Sequence, residues 1–257
     1  MRATKRFLAP ALGLLALAKA DECQCDGIWL MGNDFTLKRT TCGEIIVRHR
    51  DETIVWSTPP NANFISASGG DDEFTSESGN FNITTVDEGK CQGQNIDKVD
   101  FAPWEDSVTF SSVAVTGSLL DCGSEDTFPA RYTASFWVPK DLGDRVAFKL
   151  DIEQPDDKEP LTKSFLTYTS HAEEDFYGLG AQASFATLKN QTVPIFSREQ
   201  GFGRGDEPTT EIQSIVGFFA GGDFFTTYTA IPQYVSTDNK AFYLAEQSRA
   251  PAHFNFS

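Results

Sequence analysis

Histidine is scarce in this 257-residue sequence. The three residues, His49, His171 and His253, stand in no G-x-S-x-G or H-E-x-x-H context. Each reads as a solvated side chain, which removes the commonest general base and metal ligand from the candidates. Methionine is equally rare, with two residues against 22 phenylalanines, and rings that fill the space between sheets favour a β core. No long segment keeps a 3.6-residue apolar period; the best helical candidate is the short stretch from Ala181 to Leu188. Long apolar runs are missing too. The one at the N-terminus, Phe7 to Ala18, is too short for a bilayer that needs about twenty residues. Bases are outnumbered, 21 Lys and Arg against 37 Asp and Glu, for a formal charge of −16. Such a surface repels nucleic acid and anionic lipid and leaves neutral or cationic ligands.

What is present begins with a targeting segment. Lys5 and Arg6 precede the apolar run, and Ala18-Lys19-Ala20 is a small-x-small cleavage site followed by Asp21-Glu22. Residues 1–20 are therefore expected to be a cleaved signal peptide and the protein to be secreted or held in a secretory lumen. Cleavage removes Arg2, Lys5, Arg6 and Lys19 and no acid, moving the charge from −16 to −20. Five cysteines follow, Cys23, Cys25, Cys42, Cys91 and Cys122. An oxidising compartment favours disulfides, and the odd number leaves one over. Cys23-x-Cys25 lacks the second pair that zinc needs, so no metal or other cofactor is expected. Asn82-Ile83-Thr84, Asn190-Gln191-Thr192 and Asn255-Phe256-Ser257 are glycan acceptor triplets.

The rest of the chain is written in period two. Asp21 to Thr41 forms a cysteine-bearing lead-in without a clear period. Glu44–Val47 and Thr53–Trp56 flank a polar turn and predict a hairpin, and Ser66–Gly79 predicts a surface loop. Asp71-Asp72-Glu73 reads as an acidic tip of that loop. Tyr132, Ala134, Phe136 and Val138 alternate with polar neighbours, as do Val146, Phe148 and Leu150. Phe165–Tyr168, Phe224–Ile231 and Lys240–Leu244 are further strand candidates. Many short strands separated by Gly, Pro, Asn and Asp predict an all-β fold, an antiparallel β-sandwich over residues 42–257.

The chemistry concentrates in one region. Phe176-Tyr177-Gly178-Leu179-Gly180 is followed by Val193-Pro194-Ile195-Phe196-Ser197-Arg198-Glu199-Gln200-Gly201-Phe202-Gly203-Arg204-Gly205, then Ala220-Gly221-Gly222-Asp223-Phe224-Phe225 and Pro232-Gln233-Tyr234. The three alternate glycines lack the Lys-Ser/Thr of a phosphate cradle. In their order, these motifs resemble glycoside hydrolase family 31, most closely its sulfoquinovosidase-like branch. The resemblance covers about residues 130–257. Ala181 departs from it, standing where that branch usually has Glu.

The resemblance implies a galactose mutarotase-like sandwich that precedes a (β/α)₈ barrel in secreted α-glycosidases. The barrel would supply two aspartates, since retaining hydrolysis needs two carboxyl groups about 5–5.5 Å apart. A barrel takes roughly 250 residues and is expected after Ser257. The family's nucleophile motif is not present in this sequence; Trp104-Glu105-Asp106 is a chance neighbour in the wrong half. The chain alone is therefore expected to contain no catalytic residue and to be inactive. The resemblance makes Arg198, Glu199, Gln200 and Arg204 the substrate-binding candidates, because the family's matching loop enters the mouth of the sugar site. Carboxylates accept two or more charge-assisted bonds from sugar hydroxyls, and Arg198 could orient Glu199 or donate to the sugar itself. The alternatives are a free-standing lectin-like sandwich and an adhesion module built on Arg204-Gly205-Asp206.

Overall fold

The structure, a computed structural model, describes residues 23–77, 80–103, 111–140, 144–181, 185–199, 201–217, 220–245 and 252–257. The expected signal peptide, Trp104-Glu105-Asp106 and Gln200 lie outside the described residues. Strands β1 (Cys25–Met31), β2 (Phe35–Thr40), β3 (Ile45–His49) and β4 (Ile54–Ser57) form one antiparallel meander. Strands β5 (Ile65–Ser68), β6 (Glu73–Glu77) and β7 (Asn80–Thr84) follow. Then β8 (Gly93–Pro103), β9 (Ser111–Cys122), β10 (Phe128–Trp137) and β11 (Ala147–Glu153) make a second four-stranded sheet. Strand β12 (Lys163–Leu166) returns to pair with β5.

The two four-stranded sheets share one core. Met31, Phe35, Leu37, Ile45 and Val47 come from the first, and Val113, Val115, Tyr132, Ala134 and Phe136 from the second. The alternation along β10 is realised in full: Phe128, Ala130, Tyr132, Ala134 and Phe136 all point inward and are buried. Each such large side chain contributes about 1.5–3 kcal/mol. Disulfide Cys23–Cys42 joins the residues before β1 to the β2–β3 turn, and Cys91–Cys122, buried in the core, joins the residues just before β8 to the end of β9; Cys25 is exposed.

Several expectations need correction. The lead-in is part of the first sheet, with β1 paired to β2 and β2 to β3; a bulge near Gly27 breaks the period that would have revealed β1. Ser66–Gly79 is not a surface loop, because it contributes β5 and β6, with Ala67 and Ser68 buried. Small polar residues hid this strand; Ser68 is satisfied inside by Asp87 Oδ1 at 3.1 Å. Asp72 is no exposed tip, since its side chain is 4% exposed and paired with Lys163 at 3.0 Å. His49 is half-buried, packed edge-on against Phe35 and 3.0 Å from Asp51.

The C-terminal half adds β13 (Phe176–Gly180), β14 (Thr192–Pro194), α1 (Thr209–Val216), β15 (Ala230–Ser236), β16 (Ala241–Tyr243) and β17 (His253–Asn255). The helix is thus at 209–216; Ala181 and residues 185–188 are not helical. A second core gathers Phe176, Leu179, Leu188, Val193, Tyr234 and Phe256. An aromatic seam joins it to the first: Phe148 meets Phe242 at 5.9 Å, and Trp56 meets Tyr168 at 6.4 Å.

Burial has a consequence for pH. The Tyr132 hydroxyl lies in the core and donates to Asn95 O at 3.2 Å, and burial pushes its pKa up to about 12. Burial also pushes Tyr234 upward, beside the Tyr168 hydroxyl at 2.5 Å. Below about pH 10, folded and unfolded chains both hold these protons and the contribution is complete. Above it the unfolded chain releases protons first, so stability falls by about 1.4 kcal/mol per pH unit per tyrosine until the folded group titrates. Urea unfolding at pH 9 and pH 11 should show this fall, and Tyr132→Phe should reduce it. Equal pH slopes for the two proteins would remove Tyr132 as the cause.

Candidate functional site

The motif residues meet along two adjacent backbone segments, 195–206 and 220–230. Arg198 N donates to Thr227 O at 2.9 Å, Phe202 N to Ala220 O at 3.0 Å and Arg204 N to Gly221 O at 3.0 Å. Ala230 N donates to Ser197 Oγ at 3.1 Å. This close approach requires glycine. Gly201 has φ +65°, and a Cβ there would lie 2.4 Å from Ala220 O; Gly203 has φ +82°, and a Cβ there would lie 2.6 Å from Thr210 N.

Asp223 organises the turn. Its Oδ1 accepts from Phe225 N at 2.9 Å and from the Thr226 hydroxyl at 2.8 Å, the pattern of an Asx turn. Phe224–Ile231, expected as one strand, is therefore divided: the turn runs through Thr226, and strand β15 begins only at Ala230. Two glycines before Asp223, with a threonine three residues after it, are the signature that announces such a turn.

Arg198 does not pair with Glu199. Its guanidinium bonds to Asp223 Oδ2 and, through Nε and Nη2, to Thr226 Oγ1 at 3.1 and 2.8 Å, with the side chain 14% exposed. It is a clamp on the Gly221–Thr226 turn. Arg198→Ala should lower stability by about 1–3 kcal/mol, read from the urea midpoint. Arg198→Lys should recover only part of this, lacking the planar fork. Retention of full stability in Arg198→Ala would mean that the clamp carries no load.

Glu199 is exposed and accepts a hydrogen bond at Oε1 from the Tyr228 hydroxyl, itself 60% exposed. Tyr228 was not among the sequence candidates; it lies 29 residues away, and only the fold brings the two together. Phe202 is 66% exposed. Arg204 is half-buried, with its Nη2 3.5 Å from Phe224 O. The Arg204-Gly205-Asp206 tripeptide is folded onto the start of α1: Gly205 N donates to Thr210 Oγ1 at 2.8 Å, and Asp206 O accepts from Thr210 N at 3.0 Å. The surface thus offers a carboxylate–phenol pair and an exposed ring beside an arginine-clamped turn. Such a set can accept hydrogen bonds from neutral hydroxyls and donate to them.

No family model matches the chain. The sulfoquinovosidase of Escherichia coli (strain K12) is 28% identical over 109 residues, which make up 42% of this chain and 16% of that enzyme. A solved GH31 family sulfoquinovosidase from E. rectale, in complex with an aza-sugar inhibitor, matches 90% of this chain and 29% of its own. The TM-score is 0.58 and the identity 20%. The fold is that of a portion of a glycoside hydrolase family 31 enzyme. Within that family the likeness is to sulfoquinovosidases, of which the chain spans less than a third of the length.

Proposed function

We propose that this chain is the N-terminal, substrate-site-completing domain of a secreted α-glycosidase, whose bond-cleaving carboxylates would reside in a separate (β/α)₈ barrel. The observation that carries the reading is the convergence of motifs distant in sequence: Glu199 and Tyr228 pair at the surface while Arg198 clamps the Asp223 turn behind them. In this reading Glu199 and Tyr228 bind sugar hydroxyls, Phe202 offers a ring for the sugar's apolar face, and Arg198 is a positioning residue. Arg204 and Gln200 are the remaining substrate-binding candidates. Two disulfides support an oxidising compartment, hence secretion.

Hydrolysis assays on aryl α-glucoside and aryl α-sulfoquinovoside test the proposal. The 257-residue chain should turn over neither. The product extended by the downstream coding sequence should hydrolyse one of them with retention. Turnover by the short chain, or none by the extended one, would reject the reading.

A further inference from the structure

Two of the three glycan acceptor triplets meet in the structure. Asn190-Gln191-Thr192 and Asn255-Phe256-Ser257 lie side by side at the β14–β17 pair, where Thr192 and Asn255 are direct partners. Asn190 N donates to Phe256 O at 2.8 Å and Phe256 N to Gln191 O at 3.0 Å, which carries the pairing back to Asn190. Gln191 is half-buried and Phe256 buried, so the alternation turns Asn190, Thr192, Asn255 and Ser257 outward, and all four are exposed. Asn82 stands apart, in β7 opposite Thr75.

The two asparagines are not equivalent. Asn190 occupies a turn before β14, with φ +60°, closed by Gln191 N donating to Leu188 O at 3.0 Å. Asparagine enters this left-handed conformation more readily than most side chains. Among the described residues no hydrogen bond holds its side-chain amide. Asn255 ends strand β17, and its Oδ1 accepts from Ser257 N at 3.2 Å. A surface turn suits an acceptor triplet best, because the attached chain is bulky and must stand in water. Diagonal neighbours of an antiparallel pair are about 7–8 Å apart, so a glycan on one asparagine crowds the other.

We propose that Asn190 is the N-glycosylation site of this pair and that Asn255, crowded by it, stays bare. The inference rests on the reading of the protein as secreted. In the transfer, Asn190 Nδ2 attacks the anomeric carbon of a lipid pyrophosphate-linked oligosaccharide. The N–C bond forms, the C–O bond to pyrophosphate breaks, the lipid pyrophosphate leaves with the electron pair, and Nδ2 gives up one proton. Synthesis runs from the N-terminus, so Asn190 reaches the lumen before Asn255. The glycan has a structural task as well. Among the described residues β14 and β17 pair only with each other, so each has one side without a ladder partner. Such edges invite pairing with other chains, and a bulky hydrophilic chain at the turn blocks that approach.

The test is expression of the 257-residue chain, with its own N-terminus, in a eukaryotic secretory host, followed by treatment with peptide N-glycosidase. That enzyme converts an occupied asparagine to aspartate, which peptide mapping by mass spectrometry locates. Asn190 should be converted and Asn255 should not. Thr192→Ala should abolish conversion at Asn190, and Thr192→Ser, which keeps the triplet, should retain it; circular dichroism checks that both variants fold. Protein in the medium with Asn190 unmodified, or with Asn255 converted as fully as Asn190, would overturn the inference and leave secretion standing. A chain retained in the cytosol with residues 1–20 uncleaved would overturn both. Removing the glycan from the folded protein should bring on association in sedimentation velocity at concentrations where the glycosylated form is monomeric. Equal behaviour of the two forms would overturn the shielding of the β14–β17 edges.

Discussion

Lys163→Met will destabilise the fold by about 3–5 kcal/mol, the cost of leaving one member of a buried ion pair without its partner. The Lys163 ammonium lies 3.0 Å from Asp72 Oδ1 and 3.8 Å from Asp87 Oδ1, accompanied by Gly70 O at 3.2 Å and by Val86 O. The lysine and Asp72 side chains are 14% and 4% exposed. Methionine fills the stem's volume but strands the Asp72 carboxylate and Val86 O, while Gly70 O keeps the Thr162 hydroxyl at 2.7 Å. In a chain of this size each kcal/mol moves the melting temperature by about 2–4 °C, so a fall of roughly 10 °C is expected. Adding Asp72→Asn should recover part of it by removing the uncompensated charge. A Lys163→Met protein that melts with the wild type would show that water reaches Asp72 and that the cage is not a stabilising element.

The cage also shows where the sequence was readable and where it was not. Period two along Tyr132–Val138 and Val146–Leu150 is written in apolar residues, and those strands were legible, as was the hairpin of Glu44–Val47 and Thr53–Trp56. Strand β5 was not. Its Ser66, Ala67 and Ser68 are small, and their burial depends on Lys163 and Asp87 supplied from elsewhere in the chain. Helix α1 escaped although Ile212, Ile215 and Val216 stand at i, i+3 and i+4, because eight residues are too few for a helical period to stand out. At the candidate site the loop 196–205 was legible through its motif, but the partners were not. Arg198 answers to Asp223 and Thr226, and Glu199 to Tyr228, across 25 to 29 residues that only the paired segments bring together. Adjacency suggested an Arg198–Glu199 pair; in the fold Arg198 bonds to Asp223 and Thr226, and Glu199 to Tyr228.

Glu199 carries the second large expected effect. Its carboxylate is exposed and held by one phenol donor, so it can accept from a sugar hydroxyl without prior desolvation of a buried charge. Losing a hydrogen bond to a charged group costs about 1.5–3 kcal/mol, or roughly ten- to a hundredfold in kcat/KM. The loss should appear in kcat/KM of the extended enzyme and leave its folding intact, because the loop backbone is fixed by Gly201, Arg198 and Phe202 rather than by this side chain. Tyr228→Phe, which removes the donor that orients Glu199, should give a smaller loss in the same direction. The most direct measurement is therefore kcat/KM of the extended enzyme with and without Glu199→Ala, at matched melting temperature. A fall of ten- to a hundredfold is predicted; an unchanged kcat/KM would contradict the claim that this domain completes the substrate site.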